Sequence, residues 1–246
     1  MMGAVRTYRA GERRTEDWYG GVLAPATPRD ASGREQLAAE RQGNRIGVVP
    51  AMWGDREHAA NQGSFGDLGS MTLGIDGEVA GTSACPYGVF EVPAADSAYE
   101  LTLRTMKIGQ PSQVWKRSVS TETTWSFRSR FEEGVYSQGL PVLFPQYRLP
   151  EDGMKTLAAH DGQRITLGVT GHAGYRPGEL RAAKLSYSYD GGGTWTEAAT
   201  DRHDGVWTAT VDHAGASGKQ VTLKVALTDT KGNSVTQTVT RAYDVR

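Results

Sequence analysis

Between residues 221 and 228 the side chains alternate, with Val221, Leu223, Val225 and Leu227 set against Thr222, Lys224, Ala226 and Thr228. Successive side chains of a strand point to opposite faces, so this pattern predicts a strand with one buried and one wetted face. The same period of two runs through Ile165, Leu167 and Val169, through Leu185, Tyr187 and Tyr189, and through Trp207, Ala209 and Val211. It closes in the β-branched stretch 235–239. Between these runs Asp190-Gly191-Gly192-Gly193, Asp204-Gly205 and Asp229-Thr230-Lys231-Gly232-Asn233 supply residues that tolerate positive φ. Short strands and tight turns over about 90 residues predict an immunoglobulin-like or fibronectin-like β-sandwich.

Upstream, Met71, Leu73 and Ile75 alternate up to Asp76-Gly77, a favoured two-residue hairpin turn, and 78–80 forms the return strand. Further strands are expected at 89–92, 99–103, 123–127 and 140–144. Residues 32–43 predict one short helix, because Ser32 and Glu35 make a capping box and Gly43 fits the position just past a helix end. Leu149-Pro150-Glu151-Asp152-Gly153 interrupts the alternation and marks a boundary. The expected architecture is all-β with two sandwiches, a jelly-roll-like one over 1–152 and an immunoglobulin-like one over 153–246.

A chain of 246 residues is long enough for two such domains. Its formal net charge of −1 and interleaved signs give no phosphate-tracking surface, which argues against a nucleic-acid partner. No apolar run reaches the roughly 20 residues needed to cross a bilayer, and 1–9 lacks the apolar core of a signal peptide. The chain is therefore either cytosolic or targeted by a segment outside it. Cys85 is the only cysteine, so an internal disulfide and a cysteine metal cluster are both excluded.

Two motifs bear on chemistry. Residues 188–195 fit S-x-D-x-G-x-T-W, the Asp-box pattern, with Ser188, Asp190, Gly192, Thr194 and Trp195 at its fixed positions. Read physically, it is a folding device: Asp190 accepts backbone hydrogen bonds across the turn, the glycines take positive φ, and Trp195 covers the strand end. Sialidases repeat such boxes through a propeller, away from the reacting carbons. The second motif, Gly81-Thr82-Ser83-Ala84-Cys85-Pro86, looks like the run around the nucleophile of subtilisin-like proteases, with Ala84 and Cys85 out of place. A serine nucleophile needs a base, a carboxylate to orient it and oxyanion donors. His58 is the only histidine upstream of Ser83, and Pro93 would break the helix a catalytic serine should begin.

The five histidines, His58, His160, His172, His203 and His213, show no metal-ligand spacing and read as solvated loop residues. Asp55, Asp67, Asp76, Asp190 and Asp229 sit in turns where calcium can bind, but without EF-hand spacing turn formation is the simpler role, and no cofactor is expected. Trp18, Tyr19, Trp53, Trp115 and Tyr175 are candidates for an exposed aromatic platform for sugar or peptide, whereas Trp125 and Trp207 are expected in the core.

In their order along the chain, several segments resemble the region C-terminal to the catalytic domain of large secreted subtilisin-like serine proteases of Streptomyces and related actinobacteria. They are 8–13 with Trp18, 118–129, 140–144, 185–196 and 227–243. The resemblance covers nearly the whole chain. It implies an exported parent whose catalytic residues lie on a separate, preceding domain; none of them falls in this chain. Met1-Met2 directly before that sequence fits a fragment, a reading frame begun short, or a freestanding paralogue without its protease domain. Three readings stand at this point. The first is a non-catalytic module partnering the parent's catalytic domain and its protein substrate. The others are a polysaccharide or cell-wall binding module using Trp18, Tyr19 and Trp53, and a hydrolase using Ser83.

Overall fold

The computed structural model describes residues 7–15, 18–55, 57–60, 66–109 and 116–246. Among them every regular element is a strand. The first five are β1 (Ala24–Ala26), β2 (Ala39–Gln42), β3 (Arg45–Val48), β4 (Ala51–Gly54) and β5 (Ala59–Ala60). Then follow β6 (Asp67–Ile75), β7 (Glu78–Ser83), β8 (Gly88–Glu91), β9 (Ser97–Lys107) and β10 (Ser120–Ser129). After the midpoint come β11 (Gln138–Gly139), β12 (Phe144–Arg148), β13 (Thr156–Leu157), β14 (Gln163–Thr170) and β15 (Leu180–Ser188). The last are β16 (Thr196–Glu197), β17 (Ala199–His203), β18 (Val206–Val211), β19 (Gln220–Asp229) and β20 (Ser234–Val245).

These strands make four sheets. The largest has nine strands in the order β16-β15-β19-β20-β10-β9-β6-β7, with β13 joined in parallel to β20. Two four-stranded sheets, β11-β2-β3-β8 and β12-β14-β18-β17, and a three-stranded sheet, β1-β4-β5, complete the set. The nine-stranded sheet runs through both halves of the chain, because β10 pairs antiparallel with β20 from Ser120↔Thr240 to Ser126↔Ser234. β12, which precedes residue 152, pairs with β14 from Phe144↔Thr170 to Arg148↔Thr166.

One buried apolar cluster spans Val22 to Val245. Trp125 on β10 lies at its centre, fully buried, with its indole N–H donating to Leu143 O at 2.6 Å and its ring edge-on to Phe144. Satisfying that N–H is what lets so large a ring sit in the interior.

The alternating strands form as predicted, and the β6–β7 and β17–β18 hairpins close on Asp-Gly. Asp76 and Gly77 take φ of 51° and 92°, and Asp204 and Gly205 take 48° and 81°, the geometry that matches strand twist. The helix over 32–43 does not form. Asp30 takes the Ser32 and Arg34 N–H groups on its carboxylate at 2.8 and 3.0 Å, and Gly33 sits at φ 80°, so the chain closes a tight turn. β2 follows, and Gly43 at φ 60° turns it into β3. The strand expected at 140–144 is also displaced. Pro141 lacks an N–H, 140–143 is an irregular run with Leu140, Val142 and Leu143 buried, and the strand begins at Phe144.

Candidate functional site

Ser83 ends β7, the edge strand of the large sheet. Its hydroxyl donates to Tyr87 O at 2.7 Å and accepts from Cys85 N–H at 3.2 Å, so it ties the turn of 83–87 to itself. Pro86 packs against Gly69, where a Cβ would collide with the proline ring. Among the described residues no histidine is a hydrogen-bond partner of Ser83, the contact a serine nucleophile requires.

At the end of β15, Ser188 is buried and donates to Asp190 Oδ1 at 2.7 Å while accepting Gly192 N–H at 2.8 Å. Asp190 also accepts Thr194 N–H at 2.9 Å and the Thr194 hydroxyl at 2.8 Å; the Ser188 hydroxyl first, and then these Thr194 bonds, hold its carboxyl well below the usual carboxylate range. Trp195 is about two-fifths exposed, and its ring lies 3.2 Å from where a Gly192 side chain would begin. Ser188, Asp190 and Thr194 thus spend their side-chain polar atoms on the turn itself.

The aromatic candidates separate. Trp18 stacks on His58 with ring centroids 3.7 Å apart, and Tyr19 N–H donates to Asp55 Oδ2 at 2.9 Å. Asp55 also holds His58 Nδ1 at 3.0 Å and accepts the His58 N–H at 2.7 Å, so the β4–β5 turn carries both rings. Trp53 is not on the surface: it is 4% exposed, with Lys107 Nζ 3.0 Å over its ring. Burial pushes the Lys107 ammonium down to about 7 against the pull of Asp67. Tyr175 is half-buried and donates to Asp229 Oδ2 at 3.1 Å. Trp115 lies outside the described residues. Among the described residues the most exposed aromatic is Tyr136, on the loop 131–137, with Phe131 at the same loop's start.

Three of the five histidines are buried, contrary to the expectation of solvated loops: His58, His172 and His213. Gly174 N–H donates to His172 Nδ1 at 3.1 Å, so the proton sits on Nε2, which donates to Leu140 O at 2.8 Å. His213 lies between two phenols, Tyr189 OH at 2.5 Å from Nδ1 and Tyr243 OH at 3.0 Å from Nε2. Burial pushes both His172 and His213 below the ordinary imidazole value. Sequence pattern missed this because polar or turn-forming residues flank each histidine, and only tertiary packing covers it.

Among the described residues no group of three or more histidine, cysteine or acidic side chains is placed to hold a metal ion. Asp55, Asp76, Asp190 and Asp229 each spend a carboxylate oxygen on backbone N–H groups.

Two concavities stand out among the described residues. A groove of about 470 Å³ on the outer face of the large sheet is lined by Leu68, Met106 and Ala84 with serine and threonine hydroxyls around them. A cleft of about 410 Å³ lies between the end of β10 and β11, with Asp96, Arg128, Arg130, Glu132 and Gln138 in its wall. No protein family and no curated protein matches the sequence.

Proposed function

We propose that this chain is a non-catalytic accessory region of a secreted subtilisin-like serine protease, supporting the folding, stability or substrate holding of a catalytic domain elsewhere in the parent. The observation that carries this reading is the state of Ser83. Its hydroxyl is engaged within its own turn, on an edge strand, so the one nucleophile-like motif serves the fold. The shared sheet adds support, since it joins both halves into one continuous sheet.

The strand order β12-β14-β18-β17 opposite β16-β15-β19-β20 supports reading the second half as an immunoglobulin-like sandwich. The first half is read as jelly-roll-like and the turn at 188–195 as an Asp-box. Secretion and the catalytic-domain partner follow from the sequence resemblance, with protein substrate or polysaccharide as the further ligand. With Trp53 buried, Trp18 and Tyr19 are the exposed members of that set among the described residues.

The test is hydrolysis of fluorescent casein by the purified chain, with and without a serine-protease inhibitor. The expected result is no turnover. Inhibitor-sensitive turnover that disappears in Ser83→Ala would replace this reading with that of a hydrolase.

A further inference from the structure

The cleft between β10 and β11 holds four charged side chains, and they do not simply pair off. Arg128 Nη2 and Nε sit 2.7 and 3.1 Å from Asp96 Oδ2, so those two charges satisfy each other. The Arg130 and Glu132 side chains have no hydrogen-bond or ion-pair partner among the described residues, and both line the cleft.

A further cation lies behind the wall. Arg41 on β2 is fully buried, yet its guanidinium meets only neutral oxygens: Gly43 O at 2.8 Å, Tyr99 OH at 3.3 Å, Ser129 Oγ at 3.4 Å and Pro93 O. Ser129 itself lines the cleft, and so does Gln138, the residue directly across from Arg41 in the β2–β11 pairing. A buried cation without a counter-charge is costly, and an anion nearby lowers that cost. The lining itself carries two arginines and two acids, so the uncompensated cation is Arg41 behind it, whose guanidinium touches no carboxylate. The neighbouring acids Glu40, which accepts the Ser137 hydroxyl, and Glu133 stand outside its lining.

From this arrangement we propose that the cleft binds a carboxylate carried on a peptide, with Arg130 as the contacting cation and Arg41 supplying the field behind it. The volume suits a few residues and not a protein face. Glu132 offers an acceptor for peptide N–H groups, and Leu140 and Pro141 give the lining apolar surface. Phe131 and Tyr136, 42% and 84% exposed on the adjoining loop, give a side chain next to the carboxylate something to pack on. A bare inorganic anion would use none of these. The carboxylate is either the chain terminus or an aspartate or glutamate side chain. The inference does not depend on the accessory-region reading.

The test is fluorescence anisotropy with three fluorescein-labelled tetrapeptides: one ending in leucine as the free acid, the same peptide as its terminal amide, and an amidated peptide with one internal glutamate. The free acid is expected to bind at least about tenfold more tightly than the first amide, with the advantage shrinking as salt is raised. Arg130→Gln, an exposed change checked by an unchanged melting temperature, is expected to abolish that advantage. Equal binding of the glutamate peptide assigns recognition to a side-chain carboxylate; its failure assigns it to the terminus. Acid and both amides binding alike, none binding by about 1 mM, or a preference kept intact by Arg130→Gln would each overturn the proposal.

Discussion

Tyr147 on β12 donates its hydroxyl to Gln237 Oε1 on β20 at 2.9 Å, and Gln237 Nε2 passes the chain on to Thr123 Oγ1 on β10 at 3.0 Å. Three buried polar side chains from two sheets are thereby satisfied at the point where the halves of the chain meet. Removing one end leaves a buried acceptor unpaired. Tyr147→Phe is expected to cost about 1–3 kcal/mol in urea unfolding. The double variant Tyr147→Phe, Gln237→Met should lose less than the sum of its single changes, because both disrupt one network.

Lys155 sits at φ 61° in a turn whose counterparts carry glycine. Asp30, Asp152 and Asp229 each accept the N–H groups two and four residues ahead, and the residue three ahead takes positive φ: Gly33, Lys155 and Gly232. A side chain there costs roughly 1 kcal/mol or more. Lys155→Gly should therefore raise stability by about 0.5–1 kcal/mol despite losing the 3.8 Å ion pair with Glu151. Thermal unfolding monitored by circular dichroism reads this directly.

His172 and His213 are expected to contribute the upper part of the acid limb of stability. Both are held below the ordinary imidazole value near 6.5, so the unfolded chain takes up protons first as pH falls. Their contribution is fully present above about 6.5 and is lost as pH drops through the lowered folded values. Melting temperature should decline from about pH 6.5 downward, and His172→Gln should flatten the decline while lowering stability at neutral pH. A slope unchanged by His172→Gln and by His213→Gln would assign the acid sensitivity to other groups.

The pairing of β10 with β20, and of β12 with β14, predicts how fragments behave. Residues 153–246 alone lack β12 and leave one edge of β20 bare, so they should not unfold in a single cooperative transition. The full chain should show one transition for both halves in urea, read by tryptophan fluorescence and far-ultraviolet circular dichroism together.

What the sequence made legible is local. Asp76-Gly77 and Asp204-Gly205 could be placed to the residue because two consecutive positive φ values demand such residues, and β19 because its alternation is unbroken. The turn at Ser188 was readable for the same reason. The helix over 32–43 misled because Ser32 and Glu35 carry a capping signature, while Asp30, outside that window, captured the Ser32 and Arg34 N–H groups. The cleft was not readable at all. Its lining comes from 96, 128–132 and 138–141, stretches whose charges look like ordinary solvated loops until β11 is laid beside Arg41.

Ser120 and Thr240 hydrogen-bond across the β10–β20 pairing, and 120 residues of chain separate them. At roughly 10 residues per second on a ribosome, β10 waits on the order of ten seconds before its partner exists. For that interval its alternating face and unbonded edge are open to any other strand in reach. Whatever cell makes this protein must keep its half-built sheet solitary until the final strand arrives.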